Sequence, residues 1–317
     1  MRNRSPKRRR KSHTFICSLV VLAAAVGLYI TYNKAVLPLT SPKSVNQNLQ
    51  TRPMLKPVWP DYGSGAVGAI GFDGVLAKYG DQSTRPIASL TKIITALLVL
   101  QAKPLKAGEE GPDIQFTQSD LDIYYQEIAD DAAVKPVTVG GSMTERQALE
   151  TMILPSAANY SITLANWAYG SVDMYLKAAN SWLANHNLTK TKVVDTSGLL
   201  PGSVSSPSDL ITIGKLALSN PTLASIVAMK QADVPDVGTI SNGNGLLGKI
   251  GINGIKTGVT SEAGACILFS SVVTVGTKRV TIVGDLLGAD NRGQQNSDVV
   301  KLLDSIQPAF RQKAKST

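Results

Sequence analysis

The chain has 317 residues, of which 43% are hydrophobic, and this is enough to bury a core in one large domain or two closely packed lobes. Such a composition excludes a disordered or fibrous protein. The formal net charge is +9, but seven positive charges fall within the first eleven residues and leave +2 for the rest, so no groove for nucleic acid is indicated.

The first 60 residues predict a membrane anchor followed by a spacer. Residues 1–12 are a basic tail, and residues 14–33 behind it carry no charge. About 20 helical residues span a hydrocarbon core, so a transmembrane anchor is predicted over residues 13–33. A cleaved signal peptide is the alternative, although no small-residue cleavage site is evident. The positive-inside rule puts the tail in the cytoplasm and the rest outside the cell membrane.

Five prolines between residues 34 and 60 predict an extended spacer, after which the folded domain is expected over residues 61–306. Two apolar runs, 65–70 and 75–79, flank an Asp-Gly turn and predict a hairpin. A strongly apolar helix follows from Ser89. Residues 103–143 are polar and are predicted to be mainly loop.

Helices are predicted for the middle of the chain, and strands are predicted again near its end. Thr144 and Gln147 form a capping-box pattern at the start of one helix. The helices are predicted over residues 144–153, 156–169, 172–186, 209–219 and a segment after Pro221. Two apolar runs, 265–275 and 278–287, predict a second hairpin. A last helix is predicted over about residues 295–306, before a basic tail at 307–317.

Strands at both ends and helices between them predict an α+β fold. Its expected form is a central antiparallel sheet flanked by helices, with an inserted all-helical lobe. The chain has two histidines, His13 and His186, and two cysteines, Cys17 and Cys266. These leave almost nothing from which to build a Ser-His-Asp triad, a zinc site or a disulfide framework, so no metal or cofactor is expected.

A Ser-x-x-Lys motif, Ser89 to Lys92, opens the apolar helix. Residues at i and i+3 share a helix face, so the motif pairs a hydroxyl with an amine. A lysine can take a proton from serine only where burial or nearby cations keep it neutral, and the apolar run makes such burial plausible. The alternative is that Ser89 only caps the helix and Lys92 is a solvated charge. The motif alone leaves both open.

A second motif, Lys256-Thr257-Gly258, lies in a glycine-rich approach to a strand. Lysine and threonine side chains can bind a carboxylate, and glycine lets a substrate backbone come close. A peptide that ends in a free carboxylate, such as a terminal D-Ala-D-Ala, suits this arrangement. The alternative is an ordinary turn lysine before a strand.

In this order the two motifs resemble two of the three signatures of the serine penicillin-recognising enzymes. Residues 86–93 (PIASLTKI), 195–199 (DTSGL) and 254–258 (GIKTG) resemble the D-alanyl-D-alanine carboxypeptidases, whose fold is β-lactamase/transpeptidase-like. The resemblance covers about residues 61–305. It implies that Ser89 is the acylated nucleophile, Lys92 its general base, and Lys256 and Thr257 the carboxylate-binding pair.

The same resemblance implies an oxyanion hole formed by the backbone N–H groups of Ser89 and Val259. The third signature, Ser-x-Asn, is altered, because residues 154–159 (LPSAAN) carry Ala158 where the family has asparagine. Ser156 is retained and can relay a proton. Asn159 lies one position late, a helical rotation of about 100°, and can replace the missing amide only if the preceding turn opens differently.

The function expected from these motifs is a membrane-anchored D-Ala-D-Ala carboxypeptidase that trims peptidoglycan stem peptides and is inhibited by β-lactams. No glutamate occurs between Glu150 and Glu262, which disfavours fast deacylation of the class A β-lactamase kind. Two alternatives remain open. One is an endopeptidase, which would use the same residues. The other is a catalytically impaired peptidoglycan-binding protein, in which Ala158 would account for the loss of activity.

Overall fold

The computed structural model describes residues 52–275 and 277–312 of the chain. The strands are β1 (Ser64–Ala69), β2 (Ala77–Gly80), β3 (Arg85–Pro86), β4 (Asp113–Gln115), β5 (Ser142–Thr144), β6 (Val204–Ser205), β7 (Gln231–Val234), β8 (Gly238–Ser241), β9 (Ile252–Thr260), β10 (Gly264–Val275) and β11 (Lys278–Ala289). The helices are α1 (Thr91–Ala102), α2 (Gln118–Ala129), α3 (Glu145–Ile153), α4 (Ala158–Tyr169), α5 (Val172–Asn185), α6 (Pro207–Ser219), α7 (Pro221–Val227) and α8 (Arg292–Gln312).

A five-stranded sheet joins the two ends of the described chain in the order β2-β1-β11-β10-β9. All neighbouring strands are antiparallel, and both predicted hairpins, β1–β2 and β10–β11, are present. Helices α1 to α7 lie between β2 and β9 in the chain. The predicted α+β fold with a helical insertion is therefore confirmed, and β9 is left at an edge of the sheet.

The sheet buries both faces. On one face, Ala66, Leu268 and Val283 pack with the apolar residues of α1 and α6. On the other, Phe269 and Leu286 belong to a cluster that includes four aliphatic residues of α8, namely Val299, Leu302, Leu303 and Ile306. Burying a side chain of this size contributes about 1.5–3 kcal/mol, so α8 is firmly attached to the sheet.

The segment at 103–143 is more ordered than predicted, because it contains α2 and the short β4–β5 pair. Helix α2 buries only Glu127, so the apolar periodicity that identifies a helix is weak there. The capping box formed by Thr117 and Asp120 is its one clear local signal. The β7–β8 pair was also missed.

The last helix is longer than predicted, since α8 runs over Arg292–Gln312 and includes Pro308. The start of the expected tail at 307–317 is thus helical. By contrast, the capping box at Thr144 is confirmed: its hydroxyl accepts from the Gln147 N–H at 3.1 Å, and the Gln147 side chain accepts from the Thr144 N–H at 3.1 Å.

The predicted anchor at 13–33, the basic tail before it and most of the spacer lie outside the described residues. Residues 52–60 have no regular secondary structure. Within residues 52–275 and 277–312, no single helix has the length and apolar character needed to cross a membrane, and only the bent pair α6–α7, at 105°, meets that test by length and composition.

Asp285 lies on the central strand β11, opposite Ala66 on β1 and Leu268 on β10. It is fully buried, and neither carboxylate oxygen has a hydrogen-bond partner among the described residues. Burial therefore raises the pKa of Asp285 well above its usual range. The folded state thus favours the protonated form of this carboxyl.

We expect an Asp285→Asn variant to gain stability relative to the parent as the pH rises. With a raised folded-state pKa, the stabilisation by the protonated acid is complete below the unfolded-state pKa of about 3.9 and is lost as pH increases towards the folded-state pKa. The difference in free energy of unfolding should grow by up to about 1.4 kcal/mol per pH unit in this window. Urea unfolding of both proteins measures it, and parallel pH dependences would contradict the assignment.

Candidate active site

Ser89 lies in a single 3₁₀ turn, Ala88–Leu90, immediately before α1. Ala88 has φ 47°, a left-handed conformation that is uncommon for any residue other than glycine. Two glycines let other segments approach this turn. A Cβ on Gly258 would lie 2.7 Å from the Ser89 nitrogen, and one on Gly198 would lie 1.9 Å from the Ala88 oxygen. The serine is thus held between β9 and the loop around Gly198.

Lys92 is 2% exposed, and its Nζ lies 3.1 Å from Ser89 Oγ and 3.0 Å from the Ser197 carbonyl oxygen. Burial lowers the pKa of Lys92 to about 8, although the carboxylates of Asp195 and Glu127 act in the opposite direction. The amine is therefore still mostly protonated near neutral pH, but a much larger minority of it is neutral than for an ordinary lysine. In that state it can accept the Ser89 proton while its own N–H donates to Ser197.

The Ser197 carbonyl is positioned by a network around Asp195. The Asp195 carboxylate accepts from the Leu199 N–H at 2.8 Å, the Ser197 hydroxyl at 3.1 Å and the Ser203 hydroxyl. One turn beyond Lys92, the Thr95 hydroxyl donates to the Thr196 oxygen at 2.7 Å. This explains why the DTSGL segment accompanies the Ser-x-x-Lys motif: it fixes the partner of the lysine.

Ser156 precedes α4 and has φ 68°. Its Oγ is buried, yet it has no hydrogen-bond partner among the described residues. A buried hydroxyl without a partner carries a desolvation cost, which a bound substrate or water can remove. Ser156 and Ser89 line the same cleft. The geometry thus allows the predicted proton relay.

The prediction that Asn159 contributes to the substrate site is wrong for this structure. Asn159 is fully buried in the first turn of α4, and its amide is bonded to the backbone of Lys135, accepting from the N–H at 3.2 Å and donating to the oxygen at 2.9 Å. The turn before α4 therefore does not direct the Asn159 side chain into the cleft. Ala158, at 2% exposed, is the residue that lines the cleft.

Lys256, Thr257 and Gly258 lie within the edge strand β9 itself, rather than in an approach to a strand. Lys256 is 3% exposed, and its Nζ donates to the Thr257 oxygen at 2.9 Å. Burial, with the positive charges of Lys92 and Arg292, holds the pKa of Lys256 well below its usual range. An anion beside these three cations would relieve their repulsion.

The cleft has a volume of about 240 Å³. Its lining includes Ser89, Lys92, Ser156, Ser197, Val259 and Arg292, together with Asp131 to Ala133 in the segment after α2. The sequence did not predict a role in the cleft for Asp131 or for Arg292, which is the first residue of α8. Neither belongs to a recognisable motif, and the helices that present them were either misplaced or unpredicted.

Comparison with known proteins agrees with these features. A family model described as D-alanyl-D-alanine carboxypeptidase matches residues 72–290. The chain belongs to this family. The D-alanyl-D-alanine carboxypeptidases are serine hydrolases that act on D-Ala-D-Ala peptides of peptidoglycan and bind β-lactams. The resemblance carried by the motifs is thereby confirmed.

Individual members of the family match over most of the folded part. A D-alanyl-D-alanine carboxypeptidase from Streptomyces sp. is 29% identical over 238 residues, covering 69% of this chain and 78% of that protein. The carboxypeptidase DacA of Escherichia coli is 28% identical over 77% of this chain, which spans 58% of its length. The crystal structure of a Streptomyces DD-transpeptidase superposes with a TM-score of 0.68 at 27% identity, covering 80% of this chain and 98% of that one.

We expect acylation of Ser89 by a penicillin to accelerate with pH through the titration of Lys92. Since only the neutral amine accepts a proton, the rate should fall about tenfold per unit well below the pKa of about 8 and level off above it. Acylation rates between about pH 6 and about pH 10 measure this. A Lys92→Arg variant, whose side chain stays charged, should be slow throughout, and a flat profile for the parent would contradict the role of Lys92.

Proposed function

We propose that this chain is a serine-type D-Ala-D-Ala carboxypeptidase that removes the last D-alanine of peptidoglycan stem peptides. The observation that carries the proposal is the 3.1 Å contact between Ser89 Oγ and the buried Lys92 Nζ. A buried lysine beside a serine at the mouth of a cleft costs stability and has a direct use in acyl transfer.

In the proposed acylation, Ser89 Oγ attacks the carbonyl carbon of the penultimate D-alanine while Lys92 takes its proton. The backbone N–H groups of Ser89 and Val259 stabilise the oxyanion. Lys256, Thr257 and Arg292 bind the terminal carboxylate of the substrate. The C–N bond then breaks, and the proton reaches the leaving amine through Ser156. D-Alanine departs, and the peptide remains as an ester of Ser89.

Deacylation repeats these steps with water as the nucleophile. Lys92 accepts a proton from the water, and Ser89 regains its own as the ester breaks, so no metal or cofactor takes part. An amine in place of water would give a transpeptidation product, and a cross-linked peptide as substrate would make the enzyme an endopeptidase. The same residues serve all three reactions, and substrate assays separate them.

Ala158 supports the second candidate, an impaired peptidoglycan-binding protein. The missing asparagine removes one hydrogen bond, and Asn159 does not replace it. The loss of one such bond costs on the order of 1–3 kcal/mol, or about ten- to a hundredfold in rate. This magnitude favours a slow enzyme over an inactive one, and the contact between Ser89 and Lys92, with Ser156 lining the same cleft, supports that choice.

We expect a fluorescent penicillin to form a stable adduct on Ser89 in the domain from residue 52 onward, located by mass spectrometry and absent in Ser89→Ala. Because one hydrogen bond is restored, an Ala158→Asn variant should acylate about ten times faster. Release of D-alanine from a D-Ala-D-Ala peptide is the next assay. A folded domain that forms no adduct would overturn the enzymatic assignment and favour the binding protein.

We also propose that residues 13–33 anchor the protein in the cell membrane, with residues 1–12 cytoplasmic and the folded domain outside. Support comes from the uncharged stretch at 14–33 behind a basic tail. The full chain should then sediment with membranes and resist extraction by salt, whereas a chain starting at residue 52 should be soluble. Recovery of a shortened, soluble protein after expression of the full chain would instead indicate cleavage.

A further inference from the structure

Glu127 is the one residue of α2 whose side chain is buried, with 7% of its surface exposed. Its Oε2 is fully buried and has no hydrogen-bond partner among the described residues. A buried carboxylate without a partner is unfavourable for folding, and such groups cluster at functional sites. A helix that buries only this side chain therefore calls for a functional explanation.

The packing of α2 against α4 places Glu127 near the start of α4. At one end of the pair, Thr163 Oγ1 donates to Asp120 Oδ1 at 2.8 Å. At the other end, the Ala158 N–H donates to the Ala133 oxygen, in the segment after α2, at 2.7 Å. The two helices are therefore antiparallel. The step from Asp120 to Glu127 covers about 10 Å, and the same step back from Thr163 reaches the first turn of α4.

That first turn carries Ala158, which lines the cleft together with Lys92. An ammonium group has three N–H donors. Lys92 Nζ has two hydrogen-bond partners in the described part of the chain, Ser89 Oγ and the Ser197 oxygen. The methyl group of Ala158 offers nothing to the third donor. The ammonium form of Lys92 therefore depends more strongly on nearby negative charge.

Two carboxylates supply that charge, because Asp195 and Glu127 both favour the ammonium form of Lys92. Asp195 already accepts from two backbone N–H groups and two hydroxyls, those of Leu199, Leu200, Ser197 and Ser203. Within the described residues, Oε2 of Glu127 has no such donor. Lys92 in turn favours the ionised form of Glu127. Glu127 is thus the carboxylate left free to respond when Lys92 becomes charged.

The other charges around this pair act against it. Helices α1 and α4 carry no charged residue except Lys92. Asp130, at the end of α2, and Asp195 oppose the ionisation of Glu127. On the β9 side, Lys92 and Lys256 repel each other, and this lowers the pKa of Lys256. The attraction between Lys92 and Glu127 therefore offsets several unfavourable interactions at the site.

We propose that Glu127 is a positioning residue that stabilises Lys92 as it becomes an ammonium group and so compensates for the alanine at position 158. The inference rests on the proposed function. As Ser89 attacks, its O–H bond breaks and the proton bonds to Lys92 Nζ, so positive charge appears inside the protein. A fixed carboxylate stabilises this charge without moving and without exchanging a proton. Glu127 lies outside all three sequence signatures.

The test is the pH dependence of Ser89 acylation by a penicillin, measured on the full chain. Glu127→Gln removes the charge and keeps the shape. We expect it to move the inflection, at about pH 8 in the parent, about one unit lower. The rate above the inflection should fall about three- to tenfold, because a weaker base accepts the proton. A merely structural role would lower the rate without moving the inflection.

Two further variants and a matched control accompany this test. Glu127→Met is also uncharged and should give the same shift, whereas Glu127→Asp keeps the charge and should stay near the parent. The control is Glu145→Gln. Glu145 is a glutamate on α3 that is 1% exposed and has an unpartnered Oε1, and its charge acts on Lys103. Its replacement should leave the inflection in place.

A double-variant comparison tests the compensation itself. If positions 127 and 158 stabilise the same group, Ala158→Asn should accelerate acylation more in the Glu127→Gln background than the roughly tenfold expected in the parent. Equal factors in the two backgrounds would overturn the compensation. An unchanged inflection in Glu127→Gln, or an equal shift in Glu145→Gln, would overturn the role of Glu127.

Failure of the proposed function is recognised separately, by the absence of a penicillin adduct on the parent protein. In that case, NMR titration of Lys92 in protein carrying isotope-labelled lysine decides the inference, with the resonance assigned by its loss in Lys92→Arg. A lower titration midpoint in Glu127→Gln than in the parent supports the role of Glu127. Equal midpoints would refute it.

Discussion

The buried amine of Lys92 is the constraint around which the rest of this structure is arranged. An ammonium group in an apolar core is unfavourable, and within the described part of the chain it has two hydrogen-bonding partners, Ser89 Oγ and the Ser197 oxygen. Asp195 and Glu127 supply enough negative potential to keep its pKa near 8 and not lower. A base balanced in this way can both take and return a proton near neutral pH.

Three distant segments must meet for that balance to exist. The turn at Ser89 is approached by Gly258 from the edge strand and by Gly198 from the loop after α5, each at a distance that leaves no room for a Cβ. The sheet that places β9 there pairs the first strand with the last. The helical lobe supplies Ser156 and the wall at 131–133. Neither lobe contains the site alone.

The sequence predicts those parts of the site that are local motifs. Ser89 and Lys92 share a helical spacing, and Lys256 to Gly258 occupy consecutive positions, so short-range geometry brings their chemistry together. Asn159 was misassigned, because the structure turns it towards Lys135 and only the conformation of the preceding turn could reveal that. Arg292 and Asp131 reach the cleft through tertiary packing, which no spacing in the sequence encodes.

The secondary structure also divides into elements that the local sequence predicts and elements that depend on tertiary contacts. Strongly apolar segments such as α1, β10 and β11 are evident from composition, because most of their residues are buried. Helix α2 buries one residue, and its position depends on contacts with its neighbours, such as the bond from Thr163 Oγ1 to Asp120 at 2.8 Å. Elements stabilised mainly by tertiary contacts carry a weak pattern of their own.

Backbone strain is found at the cleft and also away from it. Six described residues other than glycine have positive φ, and three of them, Ala88, Asp131 and Ser156, adjoin or line the cleft. Such conformations cost on the order of 1–3 kcal/mol each and persist only where the surroundings over-determine them. Ala88 is supported by the core under α1, Asp131 by the backbone hydrogen bonds after α2, and Ser156 by the start of α4 at Ala158. The strain is thus supported by the same lobes that bring the reactive groups together, which links the packing of the whole domain to the geometry of one serine.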